Sequence, residues 1–375
     1  MAGFGRGFSA SLAGLAMIHL LLPAQSEANG RFVSRLFHSR SKCSDDADAF
    51  LISEVGQRQV YSSRFGLVDI EVPANANLDG DVVVVDPKRG FVERLIRARS
   101  SHNTLLITER CDQLCVMCSQ PPKKSHSDRF AEYLSAIRLA PHGQTIGLSG
   151  GEPTLYKEDL FDLIAAVHES RPDLSFHVLT NGQHFEEADR PRLSEMTACQ
   201  VTWGIPVYSA EASLHDLIVA KDGAFSRLME SFTHMILAGA KVELRTVLMR
   251  NNLAGLTALS NLIANRLSFC SQWSIMQLER TGYARNRFEE LYVDPNDRFE
   301  EVAAALDTAT LFGVSVALFN FPRCHVPYGY RDFAVDSISD WKQKFVSGCN
   351  ICSEKAKCSG FFEWQPAESI KVFPL

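Results

Sequence analysis

The chain has 375 residues, of which 46% are hydrophobic and 22% charged, and its formal net charge at pH 7 is −6. This is an ordinary globular composition, with room for a barrel-sized core and smaller appendages. Basic residues are scattered along the chain, which argues against the basic footprint of a nucleic-acid-binding protein. Most of the ten cysteines fall into two tight groups, which favours metal binding over a disulfide framework.

Residues 1–30 are predicted to form a leader that is disordered or signal-like. An apolar run at 12–22 follows Arg6, and the small residues at 26–28 resemble a cleavage site. The run is too short for a comfortable transmembrane helix, so no membrane association is expected.

Residues 31–100 are predicted to form a small β-rich N-terminal region. The β-branched runs at 67–72 and 81–85 are bounded by turn formers such as Pro73, Gly80 and Pro87. This region contains no catalytic pattern.

Strand-like and helical segments alternate over residues 101–320. The predicted strands are 104–109, 145–150, 175–181, 201–208, 241–250 and 272–279. Amphipathic helical stretches are predicted near 127–140, 157–170, 187–197, 223–238, 254–267 and 296–311. This alternation predicts an α/β fold with right-handed crossovers and a parallel sheet, either a partial (β/α)6 barrel or a doubly wound open sheet.

The strand faces favour the barrel. Side chains alternate along a strand, so Glu243 and Arg245 are expected to point inward while their apolar neighbours face helices. Gly147 and Ser149 make the inward face of the second strand small. These features predict a cavity for a polar ligand near the carboxyl ends of the strands.

Three cysteines follow the first predicted strand with the spacing C-x3-C-x2-C, namely Cys111, Cys115 and Cys118. Three thiolates on a short loop suit a [4Fe–4S] cluster whose fourth iron stays open to a ligand. Zinc is the alternative, but it requires four protein ligands at a structural site, and the nearby His102 precedes the strand.

This cysteine loop resembles the signature of the radical S-adenosylmethionine (SAM) superfamily. Behind the second strand, Gly150, Gly151, Glu152 and Pro153 are similar to the GGEP motif of that superfamily. The resemblance implies that this turn contacts the amino group of SAM, with the Glu152 carboxylate facing the ammonium.

The same resemblance implies that three further residues contact SAM. Asn181, after the third strand, is expected to reach the ribose, and Met117 is expected to pack on the adenine. Arg245 resembles the basic residue that pairs with the SAM carboxylate, although a salt bridge to Glu243 is the alternative.

The resemblance also implies a mechanism, in which a reduced cluster cleaves SAM to methionine and a 5′-deoxyadenosyl radical that abstracts a hydrogen atom from the substrate. The protein positions and shields this chemistry. Because such a cluster is oxygen-sensitive, a cytoplasmic location is expected.

Residues 321–375 form a predicted cysteine-rich extension. Cys349, Cys352 and Cys358 lie close together, with Cys324 as a candidate fourth ligand. This set resembles the auxiliary-cluster extension of peptide-modifying radical SAM enzymes, which implies a second [4Fe–4S] cluster. A structural zinc site with four thiolates is the alternative.

Several segments resemble one family more narrowly, the C-type radical SAM maturases of His-Xaa-Ser repeat peptide systems. They are 101–106, 117–123, 281–284, 337–342 and 358–362. The likeness covers roughly residues 31–370 and departs at Gln277, where glycine is expected. It implies a His-Xaa-Ser repeat peptide as substrate, with a second radical SAM maturase and a small accessory protein as partners.

Two other functions remain open from the sequence. One is a radical SAM enzyme that acts on a small molecule in cofactor biosynthesis. The other is a non-catalytic metal-binding protein built on a decayed barrel, against which the intact cysteine triad, Glu152 and Arg245 argue.

Overall fold

The N-terminal part of the chain is a closed β-barrel. The structure, a computed structural model, describes residues 20–74 and 76–375. Seven strands pair in the order β1-β5-β4-β3-β2-β6-β7, and β7 pairs back onto β1. The strands are β1 Leu21–Ser26, β2 Phe32–Phe37, β3 Asp48–Val55, β4 Arg58–Ser63, β5 Gly66–Glu71, β6 Val82–Asp86 and β7 Phe91–Ile96.

Strand β1 corrects the leader that the sequence predicts over 1–30. Its residues pair with both β5 and β7, so the segment 21–26 belongs to the barrel. The alternation of buried Leu22 and Ala24 with exposed Leu21 was masked by the continuous apolar run that precedes it. The rest of the predicted leader up to residue 19 lies outside the described residues.

Strand β6 joins the barrel to the rest of the molecule. All five of its residues are buried. Val83 and Val85 fill the barrel, whereas Val82 and Val84 pack in the larger core that also contains helix α1 (Phe130–Arg138). A strand buried on both faces reads as a continuous apolar run, which the valines of β6 provide.

Seven parallel strands follow, and each pairs with its neighbours in chain order. They are β8 Asn103–Thr108, β9 Thr145–Gly150, β10 Ser175–Leu179, β11 Val201–Pro206, β12 Lys241–Leu248, β13 Gln272–Gln277 and β14 Val316–Phe319. The predicted α/β class with a parallel sheet is confirmed, but the count of six strands was too low. The seventh, β14, has only four residues, too few for a periodic pattern to be recognised.

Helices cover one face of this sheet. After α1 come α2 Lys157–Ser170, α3 Arg190–Ala198, α4 Ala212–Val219, α5 Ala224–Leu237, α6 Arg250–Leu253, α7 Leu256–Arg266, α8 Ala284–Leu291 and α9 Phe299–Leu311. In α5, buried Leu228, Phe232 and Met235 recur at the spacing of one helix face. Val242 and Leu244 of β12 lie in the same core, so Glu243 and Arg245 lie on the opposite face, as predicted. We call this opposite face the inner face.

The C-terminal extension, residues 321–375, is built mainly from short turns and a small sheet of β15 Gln343–Lys344 and β16 Phe361–Phe362. Two ion pairs hold it. Arg97 makes two 2.7 Å contacts with the Asp340 carboxylate, and Lys342 Nζ lies 2.7 Å from Glu279 Oε2, just beyond the end of β13. The extension therefore reaches the carboxyl ends of the parallel strands. Within the described ranges, every helix is too short or too polar to cross a membrane.

Candidate cofactor site

The cysteine loop, residues 111–118, leaves the carboxyl end of β8 and is held from outside by α4. Leu114 N donates to Val219 O at 3.2 Å, and Val116 N donates to Ile218 O at 2.9 Å. A further hydrogen bond of 3.0 Å from Cys118 N to Cys115 O turns the loop back on itself. The backbone of the loop is therefore fixed independently of any ligand.

The three thiols of this loop lie near one another in a half-buried environment. Burial, with smaller contributions from Glu152, Asp112 and Cys118, raises the pKa of the Cys111 thiol to about 12, although a backbone hydrogen bond acts in the opposite direction. Burial also raises the pKa of Cys115 to about 12, with contributions from Cys118 and Cys111. A metal centre replaces those protons, because thiols bind metals as thiolates.

The three cysteine side chains lie near each other, but they are not arranged as the ligands of a single metal ion. Across the described residues, no group of three or more His, Cys, Asp or Glu side chains is arranged to hold a metal ion as it stands. Three thiols on one short loop are nevertheless the donor set that suits an iron–sulfur cluster with one open iron.

The GGEP turn, residues 150–153, lies directly against the start of the cysteine loop. Gly151 N donates to Thr108 O and Glu152 N donates to Arg110 O, both at 2.7 Å. A Cβ atom on Gly150 would overlap Thr108 O, and one on Gly151 would overlap Arg110 O. The two glycines are therefore needed for this close backbone approach, whatever the turn binds.

Glu152 lies between two loops, and protein groups satisfy its carboxylate. Its side chain is 0% exposed, and its carboxylate accepts four hydrogen bonds within the protein. The donors are Thr154 N at 2.9 Å, Thr154 Oγ1 at 2.5 Å, Thr180 Oγ1 at 2.6 Å and Asn181 N at 2.5 Å. Burial raises the pKa of Glu152, and these hydrogen bonds oppose the rise. These hydrogen bonds give Glu152 a positioning role between two loops, and its contact with SAM stays a prediction. Pro153, also buried, begins a short helical turn.

Asn181 is also engaged by the protein. Its Nδ2 donates to Asp112 Oδ1 at 2.8 Å, and its Oδ1 accepts from Gln183 N at 3.1 Å. Asp112 in turn pairs with Lys221 and lies 3.2 Å from His184 Nε2. Although burial acts in the opposite direction, these partners hold the pKa of Asp112 well below its usual range. In this structure Asn181 thus anchors the cysteine loop through one of its two amide N–H groups, and its ribose contact stays a prediction.

Arg245 forms the salt bridge that the sequence left as the alternative. Its Nη1 lies 3.1 and 3.2 Å from the two carboxylate oxygens of Glu243, and its Nη2 donates to Met276 Sδ at 3.4 Å. Its predicted contact with the SAM carboxylate would have to compete with Glu243. The charge pattern on β12 could not decide this, because both residues share one strand face.

Met117 is 6% exposed and belongs to an apolar cluster around the cysteine loop. Tyr208 belongs to the same cluster, and sequence reasoning assigned it no role. Burial raises the pKa of Tyr208 well above its usual value, with Cys115 and Cys118 adding to the rise. The sequence did contain a signal for Tyr208, because it is the last residue of the strand predicted at 201–208, and the polar ligand is expected at the carboxyl ends of the strands.

Buried polar atoms without partners surround this region. Gln113 is 3% exposed and Gln183 and Gln277 are each 7% exposed, yet the Nε2 atom of each has no hydrogen-bond partner within the described residues. The same holds for Thr281 Oγ1. Buried polar groups are normally satisfied, so these four sites around the strand ends fit a bound polar ligand. Gln277, the departure from the expected glycine, is one of them.

The segment 281–284 fixes the far side of the cysteine loop. Gly282 has φ +52°, and a Cβ atom there would lie 2.6 Å from the carbonyl carbon of Ser119 and would overlap Cys118 O. Tyr283 N donates to Cys118 O at 2.8 Å. Glycine is thus required at 282 for both its conformation and its contact.

The second cysteine group is brought together by the C-terminal extension. Burial raises the pKa of the Cys324 thiol, and Cys358 and Cys349 add to the rise. Burial also raises the pKa of the Cys358 thiol, with contributions from Cys349 and Cys352. Cys358 Sγ accepts N–H groups from Arg323 at 3.3 Å and Gly360 at 3.4 Å. The four thiols therefore lie near one another, and two backbone N–H groups point at the sulfur of Cys358.

A model of the radical SAM superfamily matches residues 105–256, from within β8 to the start of α7. The matched segment contains both the cysteine loop and the GGEP turn. Among curated relatives, the GTP 3′,8-cyclase of Nautilia profundicola is 28% identical over 151 residues, which are 38% of this chain and 46% of the cyclase. The chain thus spans about half the length of that relative.

Solved structures similar to the chain include two with SAM bound. SuiB of Streptococcus suis has a TM-score of 0.47 and 16% identity, and the match covers 57% of this chain and 49% of that one. The protein anSMEcpe has a TM-score of 0.44 and 15% identity, with 57% of this chain and 62% of that one covered.

Proposed function

We propose that this chain is a radical SAM enzyme that cleaves SAM reductively and modifies a His-Xaa-Ser repeat peptide. The observation that carries the first part is the close packing of the GGEP turn on the cysteine loop. Two hydrogen bonds of 2.7 Å and two required glycines join these motifs, within the segment that matches the superfamily.

In this proposal, Cys111, Cys115 and Cys118 hold a [4Fe–4S] cluster. When bound and reduced, the cluster supplies the electron that cleaves SAM to methionine and a 5′-deoxyadenosyl radical. The chain itself holds the loop rigid from three sides, through α4, Asp112 and Gly282. The buried amides around the strand ends provide donors for the bound cofactor.

The second cysteine group is proposed to hold another [4Fe–4S] cluster, with Cys324, Cys349, Cys352 and Cys358 as ligands. Its support is the pair of backbone N–H groups that face Cys358 Sγ, since hydrogen bonds to sulfur tune such clusters. Four thiolates also suit structural zinc, so the metal itself requires measurement.

The peptide substrate is supported by segments that lie largely outside the superfamily match. Among them, 281–284 packs on the cysteine loop, and 337–342 contributes the Asp340 and Lys342 ion pairs that fix the extension. These segments therefore shape the surroundings of the proposed reaction site. A second radical SAM maturase and a small accessory protein are the proposed partners.

A small-molecule substrate is the second candidate. The similarity to GTP 3′,8-cyclase favours it, because that relative is named for a nucleotide reaction. The similarity covers 38% of this chain, so it leaves most of the protein without a counterpart.

Co-expression with the repeat peptide, the second maturase and the accessory protein tests the substrate. The mass of the peptide should change, with loss of hydrogens as radical cross-linking would give, and the change should vanish with Cys115→Ala. Cys43→Ala is the matched control, since Cys43 belongs to neither cysteine group. An unmodified peptide, alongside demonstrable SAM cleavage, would favour the small-molecule substrate.

A further inference from the structure

A histidine and a carboxylate meet in the middle of the inner face, away from the loops of the cofactor site. His177 Nε2 on β10 lies 2.6 Å from Glu243 Oε2 on β12, although the N–H direction is bent. Strand β11 runs between these two strands. The contact therefore passes over β11, where a side chain on the same face would normally block it.

Gly204 of β11 makes the crossing possible. It is the direct partner of Glu243 in the sheet. A Cβ atom at position 204 would lie 2.9 Å from His177 Nε2 and 3.1 Å from Arg245 Cδ. On the other side of His177, the paired residue of β9 is Gly147. Within the sheet His177 therefore pairs with Gly147 of β9 and Thr202 of β11, and its ring reaches across the strand beside Gly204.

Glu243 is held as an anion by the groups around it. Ser274 Oγ donates to Oε1 at 2.5 Å, and Arg245 Nη1 contacts both oxygens. Burial opposes ionisation, but His177, Arg245 and Ser274 together lower the pKa of Glu243 to about 2. Its side chain is only 8% exposed. A carboxylate in this state orients an imidazole and stabilises its protonated form.

The other ring nitrogen of His177 is available. Nδ1 has no hydrogen-bond partner within the described part of the chain, and 29% of the side chain is exposed. His177 also lies two residues before the end of β10, about 7 Å below the level of the strand ends. It therefore lies deeper on the inner face than the cofactor loops, which leave the strand ends.

We propose that His177 and Glu243 form a proton-accepting dyad for the substrate, with His177 Nδ1 as the base. This rests on the proposed function. A substrate N–H or O–H group gives its proton to Nδ1, leaving the deprotonated group and an imidazolium ion. Glu243 remains ionised and stabilises that ion through Nε2–H. One proton moves, and no electron is transferred in this step.

The test compares product formed per 5′-deoxyadenosine released by the cluster-loaded enzyme with the repeat peptide and its partners. In His177→Gly we expect this ratio to fall about a hundredfold, the usual size of a general-base effect, and added imidazole to restore much of it. Gly204→Ala should lower the ratio without rescue, because the imidazole is present but displaced. His142→Gly is the control, since His142 is exposed.

The outcomes separate the two claims. A normal ratio in His177→Gly, or a loss that imidazole does not restore, would overturn the dyad and leave the proposed function standing. A wild-type enzyme that releases deoxyadenosine but leaves the peptide unmodified would overturn the peptide substrate, and the dyad's role on it would fall as well.

Discussion

At the scale of single residues, hydrogen-bond partners decide what a motif does. The sequence assigned Glu152, Asn181 and Arg245 to SAM, because their positions after successive strands resemble the superfamily pattern. In the structure, each is engaged by other protein groups: Thr180 and Asn181 for Glu152, Asp112 for Asn181, and Glu243 for Arg245. Thr180 and Asp112 lie far along the chain from their partners, so a local pattern could not reveal these contacts, whereas Glu243 is two residues from Arg245 and was the alternative that the sequence offered.

Glu152→Gln tests the positioning role. The new amide would place N–H groups opposite donors that now face the carboxylate, in a site without water access. We expect the free energy of unfolding to fall by about 2–4 kcal/mol, measured by denaturant titration. Glu158→Gln on the exposed face of α2 is the control. Equal stability of Glu152→Gln and wild type would show that this carboxylate does not hold the two loops together.

At the scale of elements, periodicity located most of the sheet. The strand predicted at 145–150 coincides with β9, and the predicted strands at 175–181 and 241–250 overlap β10 and β12 but overrun their ends. Strands β1 and β14 were missed, because one is masked by a preceding apolar run and the other is very short. The sequence alone placed the cysteine loop after the first parallel strand. Its contact with Gly282 could be seen only in the folded structure.

Gly282→Ala tests how the loops hold the cysteines. An alanine Cβ would overlap Cys118 O, so the cysteine loop must shift. We expect iron bound by this loop to be lost to a chelator about tenfold faster, since a positive φ and the overlap together cost roughly 1–3 kcal/mol. The matched control is Gly313→Ala, where φ is +75° but nothing lies within 4 Å. Equal iron loss in the two variants would contradict the contact.

At the scale of the whole molecule, two ion pairs fix the C-terminal extension, which carries the second cysteine group. The Arg97–Asp340 and Lys342–Glu279 ion pairs fix it against the chain before β8 and against the end of β13. The sequence identified the four cysteines of this region, but not the Arg97 and Glu279 partners, because they lie far away along the chain. A cavity of about 520 Å³ also opens beside Cys352 and Cys358.

Cys349→Ala separates the second metal centre from the first. The two proposed centres have different ligands, so this variant should lose about four of about eight irons while the cysteine loop keeps its own. SAM cleavage without a peptide should continue. Metal analysis measures both results. If the variant instead loses zinc and keeps its full iron content, the extension carries a structural zinc site.

The triple variant Cys111→Ala, Cys115→Ala and Cys118→Ala tests the central claim most directly. After anaerobic reconstitution, wild type should bind about eight irons per chain and form 5′-deoxyadenosine from SAM, whereas the triple variant should bind about four and form none. An unchanged iron content in the triple variant, or deoxyadenosine formation by it, would contradict the assignment of the cysteine loop as the catalytic cluster site.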